Sequence, residues 1–424
     1  MKNWLKILLI LLVLAALLYG IWALSMDPYR GTVQEWEPSE PLDSMMSKEE
    51  AAEDLEQAIR LLRSRHAGWK LNDPNAVETE QAMDDAIAAL PEELSVLELW
   101  HTIAKCLHHL KDAHTMAVYI PEHELYLSDW TPFERYGLPV AINGVEAEQY
   151  YSTIHRAFSY ETEAYARQKI LGEMPLSEHW MRFLGVDTKD DVAMTFATSE
   201  GEQTFVFSYV IPELVKGSDQ KPWVSWEIHP ELDAAVFTLR SCVVNKEYES
   251  ALSEFFAEIE KQALGNVIVD LRGNGGGNSY VANLFLQYLD VETYQAWDSD
   301  VRFGWYLHRN RNIVIENERK PNTFSGNVYV LTDVETFSAG KDFAMLLADN
   351  DLAVHVGEAP GNLPDAYMDI LQFLLPNSGL KLTVTYKRAY RLDSTQSGRP
   401  LEPDVVTEDA MKTVYGLVSK APQS

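Results

Sequence analysis

VYVLTDVETFSAGKDFAMLLADN, residues 328–350, is the stretch on which the reading of this chain turns. Val328, Val330 and Leu331 form a short apolar run of the kind a buried strand shows. Phe343, Leu346 and Leu347 recur at helical spacing. The polar turn between them carries Ser338 close to the first helical residue. The amide of Ala339 is then one of the unpaired donors of a helix N-terminus, where the dipole favours negative charge. An accessible hydroxyl beside such donors is what an acyl-transfer nucleophile needs. The same position equally suits a serine that only caps the helix.

A second stretch, NVIVDLRGNGGGNSYVANLF at 266–285, again reads as strand, glycine-rich turn and helix. A dinucleotide fingerprint would need a third glycine where Asn278 stands. A phosphate loop would need a lysine-serine pair that does not follow. Ser338-Ala-Gly-Lys341 has the S-x-x-K form of penicillin-binding proteins. Their S-x-N is missing downstream, and Lys412-Thr-Val stops short of K-T-G. An α/β-hydrolase elbow needs a glycine where Thr336 stands and a histidine after the serine. His355 alone follows, inside an apolar strand. Strands alternating with helices along this half imply an α/β core.

VDLRGNGGG followed by VLTDVETFSAGKDFA resembles the S41 peptidases, the group of tail-specific proteases and tricorn-like hydrolases. LKDAHT at 110–115, VGEAPG at 356–361, LPNSGLKLTV at 375–384 and PLEPDVV at 400–406 extend the resemblance over about residues 90–408. The resemblance implies a layered α/β core of the ClpP/crotonase type. It implies Ser338 as nucleophile, attacking a peptide carbonyl to form an acyl-enzyme that water releases. Processing proteases of the family activate the serine with a lysine downstream. Here no lysine lies between Asp342 and Gly379, and Leu363 stands near that spacing. The tricorn-like branch uses a histidine from a D-x-H-T motif, present here as Asp112-Ala-His114-Thr. His114 is therefore the expected base, with Lys341 its rival on the nucleophile helix. The Ala339 amide and a glycine of the loop, Gly276 with Gly275 beside it, are the expected oxyanion donors. An acidic orienter is expected late in the chain, Asp393 first and Glu402 second. Departures from the family are Ala113 before the base, Lys341 for a glutamate, and Ala359-Pro360-Gly361-Asn362 for a T-G-G-like turn. They leave a second reading open, a relative of the cell envelope that binds peptides or acts as a scaffold without cleaving them.

The chain has 424 residues, a formal net charge of -29 and 46% hydrophobic residues. That composition supports a sizeable core and argues against bulk disorder. The acidity argues against nucleic acid, whose phosphates such a surface repels. Two cysteines, Cys106 and Cys242, make no disulfide framework.

Lys2 and Lys6 precede an apolar run from Ile7 to Leu24, about the minimum length for a spanning helix. Positive charge ahead of the run keeps the N-terminus inside and the body outside. Residues 1–25 read as a membrane anchor. Ala23-Leu24-Ser25 leaves a cleaved signal and a secreted body as the alternative. Residues 26–46, with Pro28, Pro38 and Pro41, read as a linker. Residues 47–120 read as a helical region with capping boxes at Ser47/Glu50 and Ser95/Glu98. It ends in the base motif and an apolar strand at 115–120. Residues 121–230 read as mixed α/β with an Asn143-Gly144 turn, which is reminiscent of the PDZ-like module of other S41 proteins. Residues 231–416 form the catalytic core, and 417–424 a frayed tail. The histidines on the 95–110 helix raise a metal site. The spacing lacks an H-E-x-x-H pair, so no metal is expected, and His101 and His108 read as solvated face. The expected partners are a peptide or protein substrate and the membrane, with no cofactor.

Overall fold

The computed structural model describes residues 2–216, 222–321 and 323–419. Its centre is a six-stranded sheet. In spatial order the strands are Val224–His229, Ala234–Leu239, Asn266–Asp270, Asn327–Thr332, Val354–Gly357 and Val405–Val406. The first pairs antiparallel and the rest are parallel. Val267, Ile268 and Val269 are all fully buried, as are Val330 and Leu331. Such continuous apolar runs belong to parallel strands covered on both faces. Helices Lys246–Gln262, Tyr280–Leu286 and Ala339–Asp349 cover one face through Phe255, Phe285 and Phe343. Helix Ala410–Val418 covers the other, packing Val414 and Val418 on Ile268, Leu331 and Val356. The expected layered α/β core is borne out.

A second sheet runs in the order Tyr306–Asn310, Asp298–Phe303, Lys381–Tyr390, Tyr367–Leu374. The short strand Ala117–Val118 also pairs on Leu382 and Lys381. This pairing fastens the start of the chain to the core. The strand expected over 115–120 shrinks to those two residues because side chains intercept its neighbours. The Met116 amide donates to Thr383 Oγ1 at 3.0 Å and the Ile120 amide to Ser39 Oγ at 3.0 Å.

Helices Lys48–Arg65 and Val96–His108 both open with the expected capping boxes. Each buries one stripe, including Leu55, Ile59 and Leu62 in the first and Leu99, Ile103 and Leu107 in the second. His101 and His108 are not solvated as expected. His101 stacks on Phe183 with ring centroids 4.1 Å apart, and His108 Nδ1 meets the Phe158 carbonyl at 2.9 Å. The middle segment crosses over this face, so both rings gain partners that the helix alone does not reveal. In that segment, strands Ala141–Ile142 and Val145–Glu146 flank the Asn143-Gly144 turn. Both turn residues have positive φ, at 48° and 74°, as a two-residue hairpin requires. Val192–Thr198 and Gly201–Phe207 complete a four-stranded antiparallel sheet.

Residues 26–46 are not a free linker. The Val33 amide donates to the Gln372 carbonyl at 2.9 Å and the Glu40 amide to Ser378 at 2.9 Å, while Leu42 is buried. Prolines here set the path of a strap along the second sheet. The apolar helix Lys2–Ser25 contains a stretch, Trp4–Trp22, long and apolar enough to cross a membrane, and none of it is buried. The last helix continues to Val418, past the expected fraying point; residues 420–424 of the expected tail lie outside the described residues. Both cysteines are free and buried.

Asp54 shows how the N-terminal helices are held. Its buried carboxylate accepts the amides of Asn377 and Ser378, each at 2.9 Å, and the Ser378 hydroxyl. Asp54→Ala leaves these buried donors unpaired. It is expected to lower stability by about 2–3 kcal/mol in chemical denaturation. A loss within about 0.5 kcal/mol, the range of ordinary surface substitutions, would show the anchor to be dispensable.

Candidate active site

Two strand-to-helix turns meet at the end of the parallel sheet where strands Asn266–Asp270 and Asn327–Thr332 run out side by side. Ser338 stands immediately before helix Ala339–Asp349. Its backbone lies at φ 51°, ψ -122°, a conformation that non-glycine residues rarely adopt. Its side chain makes no cap hydrogen bond, so it does not do what a capping serine does. The strain is held from three sides. The Ser338 amide donates to Asn362 Oδ1 at 3.0 Å. The Phe337 amide donates to the Asn274 carbonyl at 2.8 Å. Thr336 Oγ1 donates to the Leu271 carbonyl at 2.9 Å.

Asn274 is the buried pin between the turns. Its Oδ1 accepts the Gly276 amide at 2.9 Å and its Nδ2 donates to the Leu239 carbonyl at 2.9 Å. The Gly276 amide, expected to face an oxyanion, is therefore already engaged. Gly276 serves by its size instead. With φ at +103°, a Cβ there would stand 2.7 Å from Ser338 Cβ and 3.0 Å from the Ala339 nitrogen. Gly275, next on the same turn, is exposed. Ala339 is the first residue of the helix, so its amide has no carbonyl a turn behind it.

His114 comes from the end of the N-terminal helical region, as the D-x-H-T motif suggested. Its ring lies on Phe337, with centroids 4.7 Å apart, and Tyr165 stacks on the other side of Phe337 at 4.6 Å. The expected base therefore packs against the immediate neighbour of the expected nucleophile. Neither ring nitrogen of His114 has a hydrogen-bond partner, so the bond to the Ser338 hydroxyl is not formed here. Burial pushes the His114 imidazole below its ordinary pKa; the Asp112 charge opposes this and Lys341 reinforces it. Lys341 is fully buried and ion-paired with Asp342 at 2.6 Å.

The turn carrying His114 hangs on Asp112. Oδ1 of this buried carboxylate accepts the His114 amide at 2.9 Å. Oδ2 accepts Thr115 Oγ1 at 2.6 Å, Thr385 Oγ1 at 2.7 Å and His66 Nε2 at 3.1 Å. His66 Nδ1 accepts the Gly68 amide at 3.0 Å, which leaves the proton on Nε2 to donate. Burial alone would raise the Asp112 pKa, but these donors and the neighbouring imidazoles outweigh it and hold it down to about 2.

Asp393 is not an orienter. It is exposed and its carboxylate caps its own turn, accepting the Thr395 amide at 2.9 Å and hydroxyl at 2.7 Å. Glu402 is exposed as well. A late acidic residue satisfied by its own turn had no need to reach the sheet end, which spacing along the chain could not reveal. The carboxyl that does arrive is Glu161, from the middle segment, for which the sequence offered no motif. Asp112, His114 and Glu161 bring ligand-type atoms within 4.8 Å of one another. The oxygens of Asp112 already accept four hydrogen bonds and the Lys341 charge acts on both other groups. That environment suits the sharing of a proton better than a cation. Asn362, which holds the Ser338 amide, also went unread, inside a turn noted only as a departure.

Gly276→Ala tests the fit of the two turns. The methyl would force Ser338 or its helix to shift, a cost of about 1–3 kcal/mol. A lower melting temperature and at least a tenfold slower reaction of Ser338 with a fluorophosphonate probe are expected. Wild-type reactivity would mean that the contact does not position Ser338.

Residues 234–407 match the sequence model of peptidase family S41. No curated protein sequence matches the chain. Its fold is similar to that of mature CPAF complexed with lactacystin, at 13% identity and a TM-score of 0.62 over 87% of this chain and 96% of that one. It is similar to that of a CPAF point mutant, at 13% identity and a TM-score of 0.65 over 88% and 95% of the two chains. The photosystem II D1 C-terminal processing protease is similar at 13% identity and a TM-score of 0.53 over 88% and 98%. Glycine turn, Ser338 turn and closing PLEPDVV segment all fall inside the region, residues 234–407, that matches the S41 peptidase family.

Proposed function

We propose that this chain is a serine peptidase that cleaves peptides or protein tails through an acyl-enzyme. The observation that carries the reading is Ser338, held at positive φ at a helix start with a hydroxyl that makes no cap bond, next to the Phe337 ring on which His114 lies. Ser338 Oγ attacks the scissile carbonyl carbon while its proton passes to His114. The oxyanion is met by the Ala339 amide and by the exposed end of the glycine turn at Gly275. His114 then gives the proton to the leaving amine as the C–N bond breaks. Water repeats the sequence to free the acid. The depressed His114 pKa keeps the imidazole neutral, and so able to accept a proton, at neutral pH. The missing Ser338–His114 bond is no obstacle to this reading, since such bonds often tighten only with substrate.

That same gap favours a second reading, a peptide-binding relative that has lost the chemistry. A fluorophosphonate probe separates the two. Labelling of the wild-type protein that disappears in Ser338→Ala supports the peptidase. Turnover in Ser338→Ala is expected to fall on the order of a million-fold, and His114→Ala nearly as far, because nucleophile and base act as a unit. A protein that never labels is the binding relative. Retention of activity by His114→Ala with loss in a Lys341 variant would transfer the base to Lys341.

We also propose that the helix Lys2–Ser25 anchors the body outside the cell membrane, N-terminus inside. This rests on Lys2, Lys6 and the unburied apolar span. External protease on intact cells, or on spheroplasts where an outer membrane is present, should digest the protein beyond residue 45. Full protection would overturn the topology.

A further inference from the structure

Residues 158–163 cross between the turn that carries the base and the turn that supports the nucleophile. Ser159 Oγ accepts the Asp112 amide at 3.2 Å and donates to the Asp112 carbonyl at 2.9 Å. Thr162 Oγ1 donates to the Gly361 carbonyl at 2.7 Å, one residue before Asn362. Between them, Glu161 Oε2 accepts the Leu363 amide at 2.8 Å, and the Ala113 amide donates to the same carboxyl group. Oε1, the other oxygen, is shielded from solvent and has no partner. The two nitrogens of His114 are equally shielded and equally without a hydrogen-bond partner, Nδ1 lying 3.8 Å from Asp112 Oδ1. The ligand-type atoms of the two side chains lie within 4.8 Å.

Unpaired buried polar atoms are uncommon in folded proteins, and two such groups this close together ask for an explanation. A shift of one side chain would close the gap to a hydrogen bond. We infer that Glu161, supplied by the middle segment, is the positioning carboxylate of the His114 base. This rests on the peptidase reading above. In the working form Glu161 is ionised and accepts a hydrogen bond from the N–H of one ring nitrogen of His114. The other nitrogen is then fixed as the acceptor for the Ser338 proton. When Ser338 Oγ bonds to the carbonyl carbon, that proton moves to His114, and the Glu161 charge stabilises the imidazolium until the leaving amine takes the proton.

The resting protonation follows from the surroundings. Burial, then the Asp112 charge, push Glu161 up to about 8, while the Leu363 and Ala113 amides and Lys341 act in the opposite direction. Burial pushes His114 down. Asp342 and Asp369 add their charges on the His114 side, and Tyr165 stands beside Glu161. Both members of the pair are therefore neutral in the resting site, and the proton on Glu161 must leave before the base is correctly oriented. Activity should rise with pH through about 8. Stability carries the opposite sign. A folded-state pKa raised from 4.5 to about 8 adds stability at low pH, which is lost as pH climbs through that window.

The test compares wild type, Glu161→Gln and Glu161→Asp by two readouts. One is the pH dependence of fluorophosphonate labelling, and the other the pH dependence of the melting temperature. Wild type should label about tenfold faster per pH unit below 8, then level off. Glu161→Gln should label at least about a hundredfold more slowly and lose that limb, because the amide keeps the shape without the charge. Glu161→Asp should recover part of the rate. The melting temperature of wild type should fall between pH 5 and 8 more than that of Glu161→Gln. Equal labelling limbs in wild type and Glu161→Gln, or equal melting-temperature slopes, would overturn the inference. Loss of labelling in Glu161→Gln together with a collapsed melting temperature at every pH would also overturn it, as a structural effect. A wild type that never labels would overturn the peptidase reading instead and take this role for Glu161 with it.

Discussion

The contact on which the arrangement of the site depends is between Gly276 and Ser338. Two strand-to-helix turns reach the same point, and one must surrender its side chain for the other to take a positive φ. Asn274 enforces the arrangement. It holds the Gly276 amide with its side chain and the Phe337 amide with its carbonyl. The lost conformational freedom is offset by the buried parallel sheet beneath, where strands Asn266–Asp270 and Asn327–Thr332 fix the two turns relative to each other. Strain of this kind persists only where the surroundings over-determine it. Here the strain leaves the serine hydroxyl clear of its own helix.

His114 is positioned by a different device. Asp112 gathers donors from three places, namely His66, the Thr115 turn and Thr385 of the second sheet. A carboxylate with that many donors stays ionised at any ordinary pH, and its value lies in geometry more than in proton transfer. It fixes the backbone of His114, whose ring then falls on Phe337. The stack of Tyr165, Phe337 and His114 links the middle segment, the Ser338 turn and the N-terminal region in one row. His114 thus comes to lie against Phe337, the neighbour of Ser338, through packing of elements far apart in the chain.

The middle segment does more than fill space between His114 and Ser338. Residues 158–163 pair with the turns on both sides and bring Glu161 to the imidazole. An imidazole responds to the charge and distance of a nearby carboxylate, whatever the origin of that group in the chain. The late carboxylate Asp393, satisfied by its own turn, was free to stay in solvent.

By itself the sequence determined what depends on near neighbours. Apolar runs without alternation marked the buried strands around Val267 and Val330, and glycines marked the turn after Arg272. Serine followed by glutamate three residues on marked two helix starts, both present. The family resemblance then named Ser338 and His114 as candidates for one site, each on a turn that its own local sequence forms. Tertiary structure alone decided the rest. It satisfied the Gly276 amide with a side chain, gave His101 and His108 partners on the middle segment, and packed residues 26–46 against a sheet. It withdrew Asp393 and brought forward Glu161. Several of these turn on which group finds a partner on another element, as Glu40 does at Ser378, and partners that far apart leave no periodicity or spacing in the chain to be read.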